Sequence, residues 1–387
     1  MKFYNFFRKY FFEAIIFFLF FSYFSLWTIL NLSTVEINNN DLNVAINIHN
    51  YNPFFSYSIY KISEILNLKV FFGFILFPSF VVVILYRLFY KLLNSKLWAI
   101  SISLLSIIST ENYPFINYLF SLLFSDGISN TSNLYENFEI QGFPLPSFSI
   151  LYFSTLFFYF FKTIRITSKY LFIITPFWLV GPLIHPFDGL MCLIFWNFIL
   201  VTYWLINKIT ISRKFLIYSF LINLIIFILT LSQIDLANQI IFENQKYNTY
   251  NLVIYNIVPV ALVILCIKFF KVDFYEFIQR FMGIYVLFFI ELIFISLSLL
   301  GYGFDLRMIE TRIFMFLIHF LYYVPVIYYL SRDSFFIFNN DINYWSFKNL
   351  IKKTIFIIFC KLNKIYLPIF SLLIILYLIH SLNLRYL

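Results

Sequence analysis

Residues 11–31 read FFEAIIFFLFFSYFSLWTILN, and this run decides the class of fold. It is apolar over nearly its whole length, with one charged residue, Glu13, close to its start. About twenty such residues in helical form cross the hydrocarbon of a bilayer. A basic lead, Lys2, Arg8 and Lys9, precedes it, as in a signal peptide. No small-residue cleavage site follows, so the expectation is a retained signal anchor. Runs of the same kind recur at 70–90, 97–110 (short), 147–162, 170–185, 189–207, 215–232, 251–270, 282–300, 313–331 and 366–384. With the first, these predict about eleven spans.

Composition leads to the same class. Of 387 residues, 62% are hydrophobic and 12% are charged, and the mean hydropathy is +0.87. A water-soluble body cannot cover 57 Phe and 30 Tyr, because soluble chains run near half apolar and a quarter charged. Soluble enzymes, disulfide scaffolds and disordered chains are excluded on that ground. The runs are continuous rather than alternating, which excludes a membrane β-barrel. The predicted fold is therefore all-α, a polytopic integral membrane helical bundle in one domain, 1–387. The excess of Phe, Ile, Asn, Tyr and Lys is what an AT-rich coding sequence produces, so ring content alone implies no stacked ligand.

Charge sign gives an orientation. With the N-terminus cytoplasmic, only Lys61, Lys69, Lys246, Arg307, Arg312 and Arg385 fall outside, and the other 21 of 27 Lys and Arg fall inside. Cytoplasmic segments of membrane proteins carry that excess. The net charge of +9 is thus explained by the membrane and implies no nucleic acid. The acids distribute the other way, 12 of 18 outside. Longer outer loops account for part of this; an outer face where chemistry occurs accounts for it equally well.

Three outer segments are long: 32–69, 111–146 and 233–250. Long loops in compact proteins are usually functional or disordered. In 51–68, Phe55, Tyr57, Tyr60, Ile62, Ile65 and Leu66 fit one apolar face of an interfacial helix, and 115–124 reads alike. On the inner side, 343–364 mixes Trp345, Phe347 and Leu350 with Lys348, Lys352 and Lys353, a basic amphipathic segment suited to anionic lipid.

Candidate chemistry lies in four places. Glu36 and Asp41 open the first outer loop and Glu111 follows the third run. The tight turn Gly181-Pro-Leu-Ile-His185-Pro-Phe-Asp188-Gly189 puts His and Asp three apart, where either binds a divalent cation or exchanges a proton. The plainer reading is a turn in which Asp188 caps the next helix and Pro and Gly break the preceding one. Arg307 and Arg312 stand on a face that otherwise avoids cations, and the guanidinium fork suits phosphate. Pairing with Asp305 or Glu310 explains them equally. Lys246, beside Glu243, is a weaker phosphate candidate. Cys192, Cys266 and Cys360 are far apart and read as small buried hydrophobes. Glu291 is an acid well within a run, and His319 reads as a helix–helix hydrogen bond.

This layout resembles the GT-C-type membrane glycosyltransferases, which use polyprenyl-phosphate-linked sugars and act in envelope polysaccharide assembly. The resemblance rests on the N-inside first helix, the acid in the first outer loop (Glu36 or Asp41), the stretch Asn52-Pro53-Phe54-Phe55-Ser56-Tyr57-Ser58-Ile59-Tyr60, and Glu111. Gly142-Phe-Pro144-Leu-Pro146 before the fourth run is similar to segments of other envelope polysaccharide proteins. Glu36 and Asp41 are separated by Ile37-Asn38-Asn39-Asn40, where the family has an Asp-rich signature. The resemblance implies a transferase of the bacterial inner membrane, with catalytic carboxylates at Glu36, Asp41 and Glu111. It further implies a lipid phosphate held by Arg307, Arg312 and Lys246, and a divalent cation, Mg or Mn, as the cofactor to test. An O-antigen-type polymerase stays open as an alternative. So do a flippase of lipid-linked oligosaccharide and a non-catalytic subunit of a membrane complex.

Overall fold

The computed structural model describes residues 2–30, 61–63, 65–108, 147–162, 168–184, 186–205, 212–241, 281–287, 289–290, 293, 321, 324–325, 327–328 and 367–383. Among these the regular elements are all helical and there is no strand. They are α1 (Lys2–Leu30), a π-helical segment (Phe71–Leu76) running into α2 (Phe77–Leu93), α3 (Lys96–Ile108) and α4 (Ser147–Lys162). Then come α5 (Ser168–Ile184), α6 (Pro186–Leu205), α7 (Arg213–Ile241) and α8 (Leu367–Asn383). The runs at 251–270 and the inner segment 343–364 lie outside the described residues, as do most of 282–300 and 313–331.

Two described stretches have the length and apolarity to cross a membrane, Tyr10–Leu30 with 21 residues and Phe71–Leu93 with 23. The other apolar helices are shorter, such as Lys96–Ser106 and Cys192–Thr202. Eleven crossings therefore remain an expectation; membrane-compatible helices number two among the described residues.

The helices overrun the expected limits where polar residues flank the apolar run. α1 begins at Lys2 and α7 continues to Ile241, into the expected outer loop 233–250. The continuation Gln233-Ile-Asp-Leu-Ala-Asn-Gln contains no Pro or Gly, so nothing in the backbone stops the helix. Pro176 and Pro182 both lie inside α5, which runs on to Ile184. A π turn appears ahead of Pro78. Pro78 has no N–H for the Phe74 carbonyl and its ring crowds it, and widening the preceding turn relieves both problems. Phe77 N–H accordingly reaches back five residues to the Phe72 carbonyl.

α2 is the centre of the bundle. It packs against α1, α3 and α4 and buries Val81, Val82, Leu85, Tyr86, Leu88, Phe89, Leu92 and Leu93 on one broad face, while Phe80, Tyr90 and Lys91 on the other side are exposed. A helix turns such an apolar face toward its neighbours. α1 buries a stripe, Ile16, Phe24, Trp27 and Thr28, and exposes Phe11, Ile15, Phe18, Leu19, Leu26 and Ile29. α7 inverts the pattern of a soluble amphipathic helix. Ser219 and Asn223, one turn apart, are buried, while Ile217, Tyr218, Phe220, Leu221, Ile222, Leu224 and Ile225 are exposed. Water penalises that arrangement and lipid favours it.

Ring contacts fix the helix directions. Phe12 meets Tyr86, Phe17 meets Phe80 and Phe21 meets Phe71, so α1 and α2 run antiparallel. Phe77 meets Phe148 and Arg87 lies over Phe158, so α4 runs parallel to α2. Tyr152 Oη donates to the Phe177 carbonyl and Tyr170 Oη to the Tyr159 carbonyl, so α5 returns antiparallel to α4. One end of the bundle thus collects the start of α1, the α2–α3 turn, the end of α4, the start of α5, the end of α6 and the start of α7. That end holds Arg87, Lys91, Lys96, Lys162, Lys169, Arg213 and Lys214. The opposite end collects Leu30, Phe71, Ile108, Ser147 and the α5–α6 turn.

Candidate functional site

The α5–α6 hairpin carries the one candidate site position whose backbone is described. It is built on a close backbone crossing. A Cβ at Gly181 would stand 3.2 Å from Phe153 Cε1 and 3.3 Å from Gly189 Cα, and a Cβ at Gly189 would fall within the backbone of Gly181 and Pro182. Two glycines eight positions apart thus let the two helices touch at the turn, as small residues do between membrane helices. Asp188 is a helical residue in the first turn of α6, two positions after Pro186 opens it, rather than the residue that caps it. Pro at the first helical position costs no hydrogen bond, because that N–H has no intrahelical partner in any case.

Beneath the turn, the rings of α4, α5 and α6 interlock. Trp178 stacks on Trp196 at 5.3 Å with the planes 6° apart. Phe157 meets Trp178 edge-on at 5.4 Å, and Phe195 lies 5.3 Å from both. Phe160 closes the cluster against Phe195 and Trp196. Both tryptophans are fully buried and neither indole N–H has a hydrogen-bond partner. Ser154 Oγ and Thr175 Oγ1, from the same helices, are likewise buried without one. Cys192 is buried among the same helices.

Deeper in, α6 and α7 share an amide chain. Asn223 Nδ2 donates to Asn197 Oδ1 at 2.6 Å and to Ser219 Oγ at 3.3 Å, and Asn197 Nδ2 donates to the Leu193 carbonyl at 3.0 Å. Asn223 Oδ1 accepts nothing. The sequence reading missed this pair. Its signal was Ser219 and Asn223 at helical spacing in the middle of a strongly apolar run. Asn197→Leu is expected to cost about 2 kcal/mol, since it strands the Asn223 amide, and Asn223→Leu about 1 kcal/mol. Thermal melting of the purified chain in detergent checks the order of the two.

The remaining candidate positions fall outside the described residues: Glu36, Asp41, Glu111, His185, Lys246, Arg307 and Arg312, together with Glu291 and His319. The Asp188 side chain does as well. The helix ends that border these segments are described, and several coincide. The segment with Glu36 and Asp41 follows Leu30, the one with Glu111 follows Ile108, and His185 joins Ile184 to Pro186, all at the end opposite the basic one. Of the expected helix over 51–68, residues 61–63 and 65 are helical. The turn closes at Asn67, φ 52°, with Leu68 N–H bonded to the Ser63 carbonyl. Ile62, Ile65 and Leu66 are exposed there. Among the described residues no three His, Cys, Asp or Glu converge as metal ligands do. The chain matches no protein-family model, no curated protein and no solved structure.

Proposed function

We propose that this chain is a multi-pass glycosyltransferase of the bacterial inner membrane, with its N-terminus in the cytoplasm. It moves a sugar from a polyprenyl-phosphate donor to an acceptor on the outer face, in envelope polysaccharide or glycolipid assembly. The observation that supports this reading best is the separation of charge along the bundle axis. The described cations of α2 to α7 gather at one end. The segments bearing Glu36, Asp41, Glu111 and His185 border helix ends at the other. The inverted surface of α7 supports crossings beyond α1 and α2.

The chemistry proposed is a direct displacement. The acceptor hydroxyl gives its proton to the carboxylate of Glu36 or Asp41 as its oxygen bonds to the anomeric carbon. The bond from that carbon to the donor phosphate oxygen breaks, and the polyprenyl phosphate leaves with the electron pair. Arg307 or Arg312 meets the charge that develops on it. Glu111 and Lys246 extend the carboxylate and phosphate sets.

The full chain, reconstituted with a radiolabelled polyprenyl-phosphate sugar, tests the reading. Transfer of label to an acceptor is expected, and Asp41→Asn or Glu36→Gln should reduce it by roughly 100-fold or more. Full activity in both variants removes these carboxylates from the mechanism. A ladder of products instead of a single addition indicates a polymerase, and movement of intact donor across the bilayer without transfer indicates a carrier.

A further inference from the structure

The basic end of the bundle contains a built arrangement that the proposed outer-face chemistry does not use. Arg87 lies six residues before the end of α2 and is about one-third exposed. Its guanidinium stands over two rings from two other helices, Tyr10 of α1 at 5.2 Å and Phe158 of α4 at 5.1 Å. Two rings within cation–π distance restrict the guanidinium, whose planar fork suits a phosphate. Glu13 of α1 is the acid nearest by, and Nε to Oε1 measures 3.9 Å, beyond hydrogen-bonding distance. Lys91 follows Arg87 by one turn and is exposed. Lys96, at the start of α3, sets its ammonium 5.3 Å over the ring of Phe12, one residue before Glu13. Arg87, Lys96 and Glu13 therefore meet at a single turn of α1, with Lys91 one turn further along α2.

The same turns expose large apolar side chains: Phe11, Tyr90, Leu97 and Tyr159. A water-soluble anion has no use for them, whereas an amphiphile lays its chains along them while its phosphate meets the cations. Basic pockets between helix ends are suited to such headgroups.

We propose that Arg87 and Lys96 at the Tyr10–Glu13 turn, with Lys91 one turn further along α2, form the headgroup site of an anionic phospholipid in the leaflet at the basic end. Arg87 makes the paired contacts to the phosphate, its orientation set by Tyr10 and Phe158. Lys91 and Lys96 add charge at the rim, and Glu13 holds Arg87 in place without saturating it.

Native mass spectrometry of the full chain, with phosphatidylglycerol and phosphatidylcholine offered in equal amounts, measures retained lipid. Phosphatidylglycerol should be preferred roughly tenfold or more, given the net charge of the three cations and one acid. Arg87→Gln should abolish the preference. Lys91→Gln with Lys96→Gln, both exposed and outside the core, should reduce it by about threefold, which keeps the test open if Arg87→Gln does not fold. Glu13→Gln separates the proposal from a purely structural ion pair: it should preserve or strengthen the preference. Loss of preference in Glu13→Gln, or no change in both the Arg87 and double-lysine variants, overturns the proposal. Equal competition by free glycerol 3-phosphate also overturns it, assigning the cations to a soluble anion instead.

Discussion

Trp196→Ala is expected to destabilise the chain by roughly 3–5 kcal/mol, read as a fall in the detergent melting temperature. Trp196 of α6 is fully buried and touches Phe160 of α4 and Trp178 of α5. In lipid the hydrophobic effect does not drive helices together, so contact area between them holds a correspondingly larger share of their association. Removing the ring leaves Trp178 without its stacking partner and Phe160 without an edge contact. Trp196→Phe makes the argument specific. The indole N–H has no partner, so phenylalanine keeps most of the packing and deletes an orphaned donor. Its cost should stay under about 1.5 kcal/mol. A phenylalanine variant as damaged as the alanine one means that the N–H is bonded after all.

Gly189→Ala is expected to cost roughly 3 kcal/mol or more, although it adds one methyl group. The added carbon would overlap the backbone of Gly181 and Pro182, and backbone held inside a helix moves only with its helix. Gly181→Ala is the control. Its methyl meets the Phe153 ring and Gly189 Cα a few tenths of an ångström inside ordinary contact, so a smaller loss of about 1–2 kcal/mol is expected. If the two losses are equal, the crossing is looser than the distances imply. Both measurements use the same melting experiment.

These two sites were unequally visible beforehand. The glycines stood out because Gly181 and Gly189 bracket a Pro-rich turn, a local pattern that needs no knowledge of neighbours. The tryptophans did not, because in a chain with 57 Phe and 30 Tyr a ring in an apolar run carries little information. Helix positions were legible for a related reason. An apolar run forces internal hydrogen bonding wherever water is absent, so α4 at Ser147–Lys162 falls where the run lies. Helix ends were less so, since past the hydrocarbon nothing in Lys2–Lys9 or Gln233–Ile241 opposes helix. The π turn at Phe71–Leu76 depends on Pro78 seven residues after it begins, a coupling that apolarity does not reveal. Arg87 was counted as an inner charge, and its rings come from residues 77 positions before and 71 after. The expected catalytic set is of the same non-local kind: Glu36, Asp41, Glu111 and Arg307 become one site only if the helices bring them together.

Ser101 and Ser371 join α3 to α8 through hydroxyls 2.8 Å apart, across 270 residues of chain. When Ser101 Oγ gives its single proton to the Leu97 carbonyl at 2.9 Å, Ser371 is the donor in the pair. The asymmetry matters for biogenesis. While the ribosome is still making the middle of the chain, Ser101 satisfies its own proton within α3 and can wait in lipid at little cost. Ser371 is synthesised 270 residues later and supplies the donor, so the seam between α3 and α8 closes without any earlier bond being broken.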